Sequence, residues 1–329
     1  MTAVCDPAME RTASVGLERA LTAVAAGEAV VVGDEKGGNL VAAAALATPE
    51  TVALLLRLGS GIVSVAAPAG HFDALAPRSA PGGLASFDLA GRGDAGSAAG
   101  RAATIAALAD PGRGREDFST PGSVLVHRVA ELGLIARAGV AEAAADLVAA
   151  AGLGAAAFCE IASADKLAPA AAPEVVEVAR AEGLESVDAG DLLEHRLATE
   201  RLLEHAVATH LPTVHGDFVC HGWRSRLDGA ELIALVPFEP TGAGPIHVHR
   251  RCGFGDTFAA RGCGCYERLV AALEEIGRER RGVLVYLSPA GAAERWQPCR
   301  PVEPGEALDP ATAASVAQML ADIGDGSLR

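Results

Sequence analysis

Two domains of α/β (α+β) type are predicted, the first a mixed sheet layered with helices and the second rich in strands. Three observations predict this. The chain has 329 residues, and domains run to roughly 100–200 residues each. Short apolar runs alternate with helical patterns as far as about residue 195, the rhythm of layered α/β structure. Beyond a boundary stretch at residues 197–212, hairpin-joined strands take over.

The elements follow in order. A helical pattern begins at Ser14, an N-cap residue, and runs through Val15, Leu17, Leu21 and Val24 to Gly27. Residues 29–32 read as a short buried strand and 40–46 as a second. The polar loop Gly33-Asp34-Glu35-Lys36-Gly37-Gly38-Asn39 joins them. Its glycines suit a hairpin turn better than a phosphate nest, because no cap and helix follow. Thr48 caps, and Pro49 opens, a helix that closes at Gly59. Residues 62–66 form a strand, and 77–100 are loop apart from a strand at 85–89. Helix is expected at 101–109, a turn at 116–123, strand at 124–126, helix at 141–151 and strand at 155–161. A helix at 174–182 and a strand at 185–187 lead to a helix that starts at 191–195 and continues into 197–207. In the second half, strands 218–227 and 231–239 are joined by the hairpin signal Asp228-Gly229. Strand 246–249, helix 266–278, strand 282–287, an irregular Pro-rich stretch at 288–310 and a last helix at 311–323 complete the chain.

Composition narrows the function. Hydrophobic residues make up 50% but aromatics only 4%, so the cores are built from Ala, Val and Leu. Lys+Arg 27 against Asp+Glu 42 leaves a net charge of −15, which repels nucleic acid and anionic membranes, so neither is an expected partner. No apolar run approaches the roughly 18–20 residues of a membrane span. The first residues carry Asp6 and Glu10 and lack a signal-peptide core. Seven unevenly spaced cysteines do not make a secreted disulfide framework. A cytoplasmic protein is expected, with clustered cysteines read as metal or redox sites.

Cys252, Cys263 and Cys265 make such a cluster, C-x10-C-x-C. Thiolates are soft ligands that suit Zn²⁺, and three protein ligands leave one tetrahedral position open. His247 and His249 lie just upstream on one strand face and are candidate fourth ligands, although a plain polar strand face is favoured. Trp223 and Trp296 read as packing residues before base-stacking ones, and Cys220 and Cys299 as isolated inert thiols.

The order and spacing of Leu211-Pro212-Thr213, Gly216, Phe218, residues 231–236, Val248-His249-Arg250-Arg251-Cys252, Gly255-Asp256-Thr257-Phe258, Cys263-Gly264-Cys265 and residues 281–287 resemble GTP cyclohydrolase II. That family carries H-S-E-C-x-T-G-D-x-F-G-S-x-R-C-D-C-G, whose cysteines hold a catalytic zinc, and it releases formate and pyrophosphate from GTP. The first half resembles 3,4-dihydroxy-2-butanone 4-phosphate synthase at residues 30–35, 46–50, Gly96, 101–105, 117–122, 138–143, 159–161 and 191–196. That enzyme converts ribulose 5-phosphate to a four-carbon ketone phosphate and formate with Mg²⁺. The resemblance implies a riboflavin-pathway fusion, with a synthase-like domain at 1–203 and a C-terminally truncated cyclohydrolase-like domain at 204–329. It also implies a homodimer and a phosphorylated small molecule as ligand.

The matched positions depart from both families. The synthase loop D-R-E-N-E-G-D is shortened to Lys36-Gly37-Gly38-Asn39 after Asp34 and Glu35, so Mg²⁺ lacks most of the carboxylates it needs. Val140 replaces the histidine of G-H-T-E-A, Ser123 that of P-G-H, and Gly100 the aspartate of S-A-x-D-R-A. In the second half, Y-L-R-Q-E-G-R-G-I-G has become residues 286–293 without its arginines, and D-x-R keeps Asp309 but not the arginine. What remains is Arg101, Glu160 and Asp309 as catalytic remnants, with ordinary ion pairing favoured for the first two, and Cys252, Cys263 and Cys265 for zinc. The first expectation is a family member that has lost both standard activities and keeps zinc. An enzyme repurposed to another phosphorylated sugar or nucleotide is second, and a still-active riboflavin enzyme third.

Overall fold

The protein, seen in a computed structural model, is described at residues 7–76, 81–288 and 307–324. Contacts divide it into two compact units that meet between Arg196 and Leu197.

The first unit holds strands β1 (Val30–Gly33), β2 (Gly38–Ala43), β3 (Ser64–Ala67), β4 (Leu84–Leu89), β5 (Phe118–Arg128), β6 (Ala156–Glu160) and β7 (Ser186–Asp188). They form one sheet in the order β4-β5-β3-β6-β2-β1-β7. It is mixed, since β1–β7 and β3–β5 pair in parallel and the other neighbours antiparallel. The helices are α1 (Pro7–Ala25), α2 (Pro49–Leu58), α3 (Ala69–Leu75), α4 (Ala98–Leu108), α5 (Val140–Ala150), α6 (Ala172–Glu182) and α7 (Ala189–Thr199). Alternation along the strands fills two cores. Val31, Leu40, Val65 and Ala157 face α2, α4 and α6, while Val30, Val32, Val41 and Phe158 face α1 and α5.

Local chemistry explains the boundaries. Thr48 Oγ1 accepts from Thr51 N at 3.2 Å, with Pro49 behind it, so α2 starts where the cap predicts. Between β1 and β2, Asp34 Oδ1 accepts from the backbone of Lys36 (2.8 Å) and Gly37 (3.0 Å), a local Asx turn. A Cβ on Gly37 would lie 2.7 Å from Ala170 O, so this hairpin needs glycine there. Three expectations change. Ser14 lies inside α1 instead of capping it. The predicted turn at 116–123 is mostly strand, because β5 begins at Phe118 and pairs with β4 across a register shift at Phe87/Asp88. Residues 44–46 leave β2 as a single 3-10 turn.

The second unit holds β8 (Leu203–Thr213), β9 (Gly216–Ser225), β10 (Glu231–Pro237), β11 (Ile246–Arg250) and β12 (Val283–Leu287), with sheet order β11-β12-β10-β9-β8. Its helices are α8 (Gly253–Phe258), α9 (Cys265–Glu279) and α10 (Pro310–Gly324). The expected helix across 197–207 stops at Thr199, and Leu203 opens an edge strand. Pairing with β9, from Leu203↔Ser225 to Thr213↔Gly216, overrides the local helical pattern. The β9–β10 hairpin forms as the sequence predicts. Phe218, Ala272, Ile276 and Leu284 make the core between α9 and the sheet. Helix α10 is latched to the strands by Asp322, whose carboxylate takes both Arg201 amines (2.8 and 2.7 Å) and Trp223 Nε1 (3.0 Å). Trp223 is therefore a buried packing residue. Trp296 and Cys299 lie outside the described residues.

Candidate metal centre

The three cysteines converge because of how β11 feeds two helices. After Arg250 the chain turns at Cys252, which caps α8 and accepts from Gly255 N through its sulfur at 3.1 Å. Ala259, in the left-handed region at φ 50°, ends α8 and returns the chain. Cys263 follows on the return, and Cys265 is the first residue of α9. All three sulfurs lie within 4.8 Å of one another, with Cys252 and Cys265 buried and Cys263 half-buried. The Cys252 and Cys263 sulfurs are 3.7 Å apart. Two sulfurs each about 2.3 Å from one tetrahedral zinc ion sit roughly 3.8 Å apart, so this pair already has the spacing zinc requires.

Gly255 is the floor of the cluster. A Cβ there would lie 2.8 Å from Cys265 Cβ, 2.9 Å from Cys263 Sγ and 3.1 Å from Cys252 Sγ. Only glycine leaves the three thiols room to point at one place. The Gly255 N–H donates to Cys252 Sγ at 3.1 Å, and the Arg268 guanidinium lies 3.6 Å from Cys265 Sγ. The donor set and spacing fit zinc.

An acid holds the turn behind the sulfurs. Asp256 Oδ2 accepts from Cys252 N (2.9 Å) and Tyr286 Oη (2.8 Å), and Oδ1 meets His249 Nε2 at 3.0 Å. The His249 ring stacks on Tyr286, centroids 5.5 Å apart. Burial alone would raise the Asp256 carboxyl, but the bonds from His249, Cys252 and Tyr286 outweigh it and hold it below the usual range. Burial and then Asp256 push the Tyr286 phenol well above its ordinary value. His249 is thus engaged with Asp256, and His247 Nε2 faces Glu275 at 3.2 Å. Neither histidine joins the sulfur cluster, which is the one group of three or more such donors among the described residues. Sequence reasoning placed Asp256 in a motif without a role. Its position four residues after the capping cysteine was the available signal.

The other remnants are dispersed. Glu160 ends β6 and is exposed. Arg101, on α4, donates to Gly61 O at 3.3 Å, and its buried Nε has no hydrogen-bond partner among the described residues. The two make no bond with each other there. Asp309 lies in the second unit and caps α10, accepting from Thr312 N at 3.0 Å. Burial would raise its carboxyl, but the Thr312 bonds and the nearby Arg250 keep it low.

Other positions matched to synthase motifs serve the fold. Val140, the first residue of α5, is half exposed. Glu142 is 1% exposed and accepts from Arg137 Nε at 2.7 Å and Ala130 N at 3.3 Å. Ser123 donates through Oγ to Asp88 at 2.6 Å.

The sequence profile of 3,4-dihydroxy-2-butanone 4-phosphate synthase matches residues 18–195, and that of GTP cyclohydrolase II matches residues 204–329. The riboflavin biosynthesis protein RibBA of Rhodococcus jostii is 38% identical over 293 residues, covering 82% of this chain and 70% of that one. RibBA of Mycobacterium tuberculosis is 36% identical over 293 residues, covering 82% and 69%. Among solved structures, RibBX of A. baumannii, a two-domain 3,4-dihydroxy-2-butanone 4-phosphate synthase, superposes with a TM-score of 0.72 over 94% of this chain and 90% of that one. At 24% identity that likeness is one of fold. The 3,4-dihydroxy-2-butanone 4-phosphate synthase of Candida albicans gives a TM-score of 0.52 at 31% identity, over 54% of this chain and 96% of that one.

Proposed function

The chain belongs to the riboflavin-biosynthesis family that joins a 3,4-dihydroxy-2-butanone 4-phosphate synthase domain to a GTP cyclohydrolase II domain, and from that membership we propose that both standard formate-releasing sites are largely lost in it while a zinc–thiolate centre is kept. One observation carries this reading: two of the acids left at synthase-motif positions, Asp34 and Glu142, are engaged in structural bonds, while Glu160 is exposed. Asp34 closes its own turn, and Glu142 is held by Arg137 and Ala130. Val140, at the position of a family histidine, offers no donor. Asp309 of the D-x-R motif caps α10.

Zinc at Cys252, Cys263 and Cys265 would contribute its binding free energy to the folded state. Asp256 would hold the Cys252 turn, and Gly255 would keep the sulfurs convergent. A homodimer, implied by the family resemblance, belongs to the same reading, and light scattering on the purified chain tests it.

The deciding experiment is formate release from purified, zinc-loaded protein in the presence of Mg²⁺, given ribulose 5-phosphate or, separately, GTP. Both family reactions liberate formate. No formate from either, with one tightly bound zinc per chain, is the expected result, and formate above a protein-free control from either substrate overturns the reading.

A second reading has an observation of its own. Three thiols leave a tetrahedral zinc one further ligand, and Cys263 is only half-buried, so a bound water there would supply an activated nucleophile for a different phosphorylated sugar or nucleotide. An exchangeable water on the loaded zinc would favour this reading, and a closed four-ligand shell would favour the structural one.

A further inference from the structure

A second donor cluster lies on a different part of the sheet. His205 on β8 and His221 on β9 have ring centroids 5.9 Å apart. The strand register explains the meeting. His205 stands opposite Trp223, and a bulge between His205 and Val207 shifts the ladder so that His221 stands opposite Ala208. Bulges re-aim side chains in this way. Both rings also pack on Trp223, at 5.3 and 5.8 Å. On the other side of His221, β10 places only the methyl of Ala234.

Two nitrogens in this cluster have no partner among the described residues. His205 Nε2 and His221 Nδ1 are both buried, and neither has a hydrogen-bond partner among the described residues. His221 is 6% exposed. Buried polar atoms in folded proteins are almost always satisfied. Two buried imidazole nitrogens on neighbouring rings, both without a partner among the described residues, suit one species that accepts from, or is ligated by, both. Imidazole nitrogen is a favoured donor for zinc and its late first-row neighbours. With each nitrogen about 2 Å from one ion, two ring centroids fall roughly 5–6 Å apart, and the observed separation lies in that range.

We propose that His205 and His221 hold a late first-row divalent metal ion, zinc by class, at a site distinct from the cysteine cluster. Two protein ligands leave the ion's other positions to water. The ion would join edge strand β8 to β9 beside the point where Asp322 latches α10 through Arg201 and Trp223. It would act as a staple on an edge strand of the sheet and be weaker than a three-thiolate centre.

The test is zinc titration of metal-stripped protein by calorimetry, in the wild type and in His221→Phe, His205→Ala and Cys263→Ser. The expected wild-type result is one tight and one weaker equivalent. Either histidine variant should lower affinity for the weaker equivalent at least tenfold and leave the tight one. Cys263→Ser should lose the tight equivalent and keep the weaker one, and X-ray absorption of zinc in that variant should show imidazole nitrogen and no sulfur. His221→Phe keeps a ring in the core, and His205→Ala changes a half-buried position, so one variant tests the site if the other misfolds. A Cys263→Ser protein that binds no zinc overturns the proposal, as does a weaker equivalent unchanged in both histidine variants. Either result would leave a bridging water as the occupant. Loss of the tight equivalent alone would bear on the cysteine centre and not on this one.

Discussion

Gly255→Ala tests the cysteine centre most directly, because the backbone there tolerates alanine and only the three cysteine side chains object. Gly255 has no positive φ, and it lies inside α8. Helix propensity alone would make the change favourable by about 1 kcal/mol. The new methyl, however, would lie 2.8 Å from Cys265 Cβ and 2.9 Å from Cys263 Sγ, inside ordinary contact distance. Relieving overpacking of this kind costs about 1–3 kcal/mol. The relief must come from moving the cysteine side chains, so metal geometry bears it. Displacing groups that orient ligands typically lowers metal affinity 10–100-fold. The expected outcome is zinc affinity at least tenfold weaker in competition with a chromophoric chelator. Zinc should also raise the melting temperature less than in the wild type, with little change in the melt of the stripped protein. A variant that binds zinc as tightly as the wild type would refute the convergence of the three thiols on one ion.

Three further outcomes follow from the same bonds. Asp309→Ala should cost about 1 kcal/mol in urea unfolding, the usual worth of a helix cap, with no effect on any formate release. The Asp309 carboxyl is depressed in the folded state, so its contribution is full above the unfolded value of about 4 and is lost as pH falls through the folded one. The variant's deficit should therefore shrink in acid. Arg196→Met should destabilise by about 3–5 kcal/mol, because it removes a partner of Asp146, a carboxylate 8% exposed, from a largely buried pair; a loss under 1 kcal/mol in chemical denaturation would contradict this. Arg101→Met should leave stability within about 1 kcal/mol of the wild type, since it removes a buried Nε that no described residue satisfies. A large loss on melting would show that Arg101 serves the fold.

Much of the fold was legible because local signals and tertiary structure agree. Thr48-Pro49, Asp228-Gly229 and the 30–32 run sit where their chemistry puts them. The failures fall where pairing decides. Residues 203–207 carry a helical pattern, but β9 offers an unpaired edge and a tight turn at Gly216, and the strand wins. Residues 118–123 look like a turn because of Pro121 and Gly122. A Cβ on Gly122 would lie 2.0 Å from the Phe87 carbonyl carbon, so the glycine marks close approach of two strands. The sulfur cluster was legible from spacing alone. Its support by Asp256 was not, because that bond depends on the turn that brings Cys252 N back over the carboxylate. The histidine pair was invisible, since His205 and His221 are sixteen positions apart and meet only through a bulge.

The pattern of surviving residues separates fold from chemistry. Glu142 lies in a synthase motif, and a buried carboxylate bonded to Arg137 cannot be removed without stranding polar groups. Asp309 remains in a cyclohydrolase motif where it caps a helix. On the proposed reading Val140 and Ser123 stand where the family carries a histidine, and neither is fully buried. A catalytic histidine at such a position supports little packing, so its loss costs the fold little. The three thiols follow the same rule from the other side, since zinc binding at a convergent site is itself folding free energy. Arg101 and Glu160 are the exceptions. Glu160 is exposed, and Arg101 makes one bond, to Gly61 O at 3.3 Å, while its buried Nε has no partner among the described residues. One long bond does little for the fold, which makes Arg101 the residue at which an anionic ligand in the first unit should be sought.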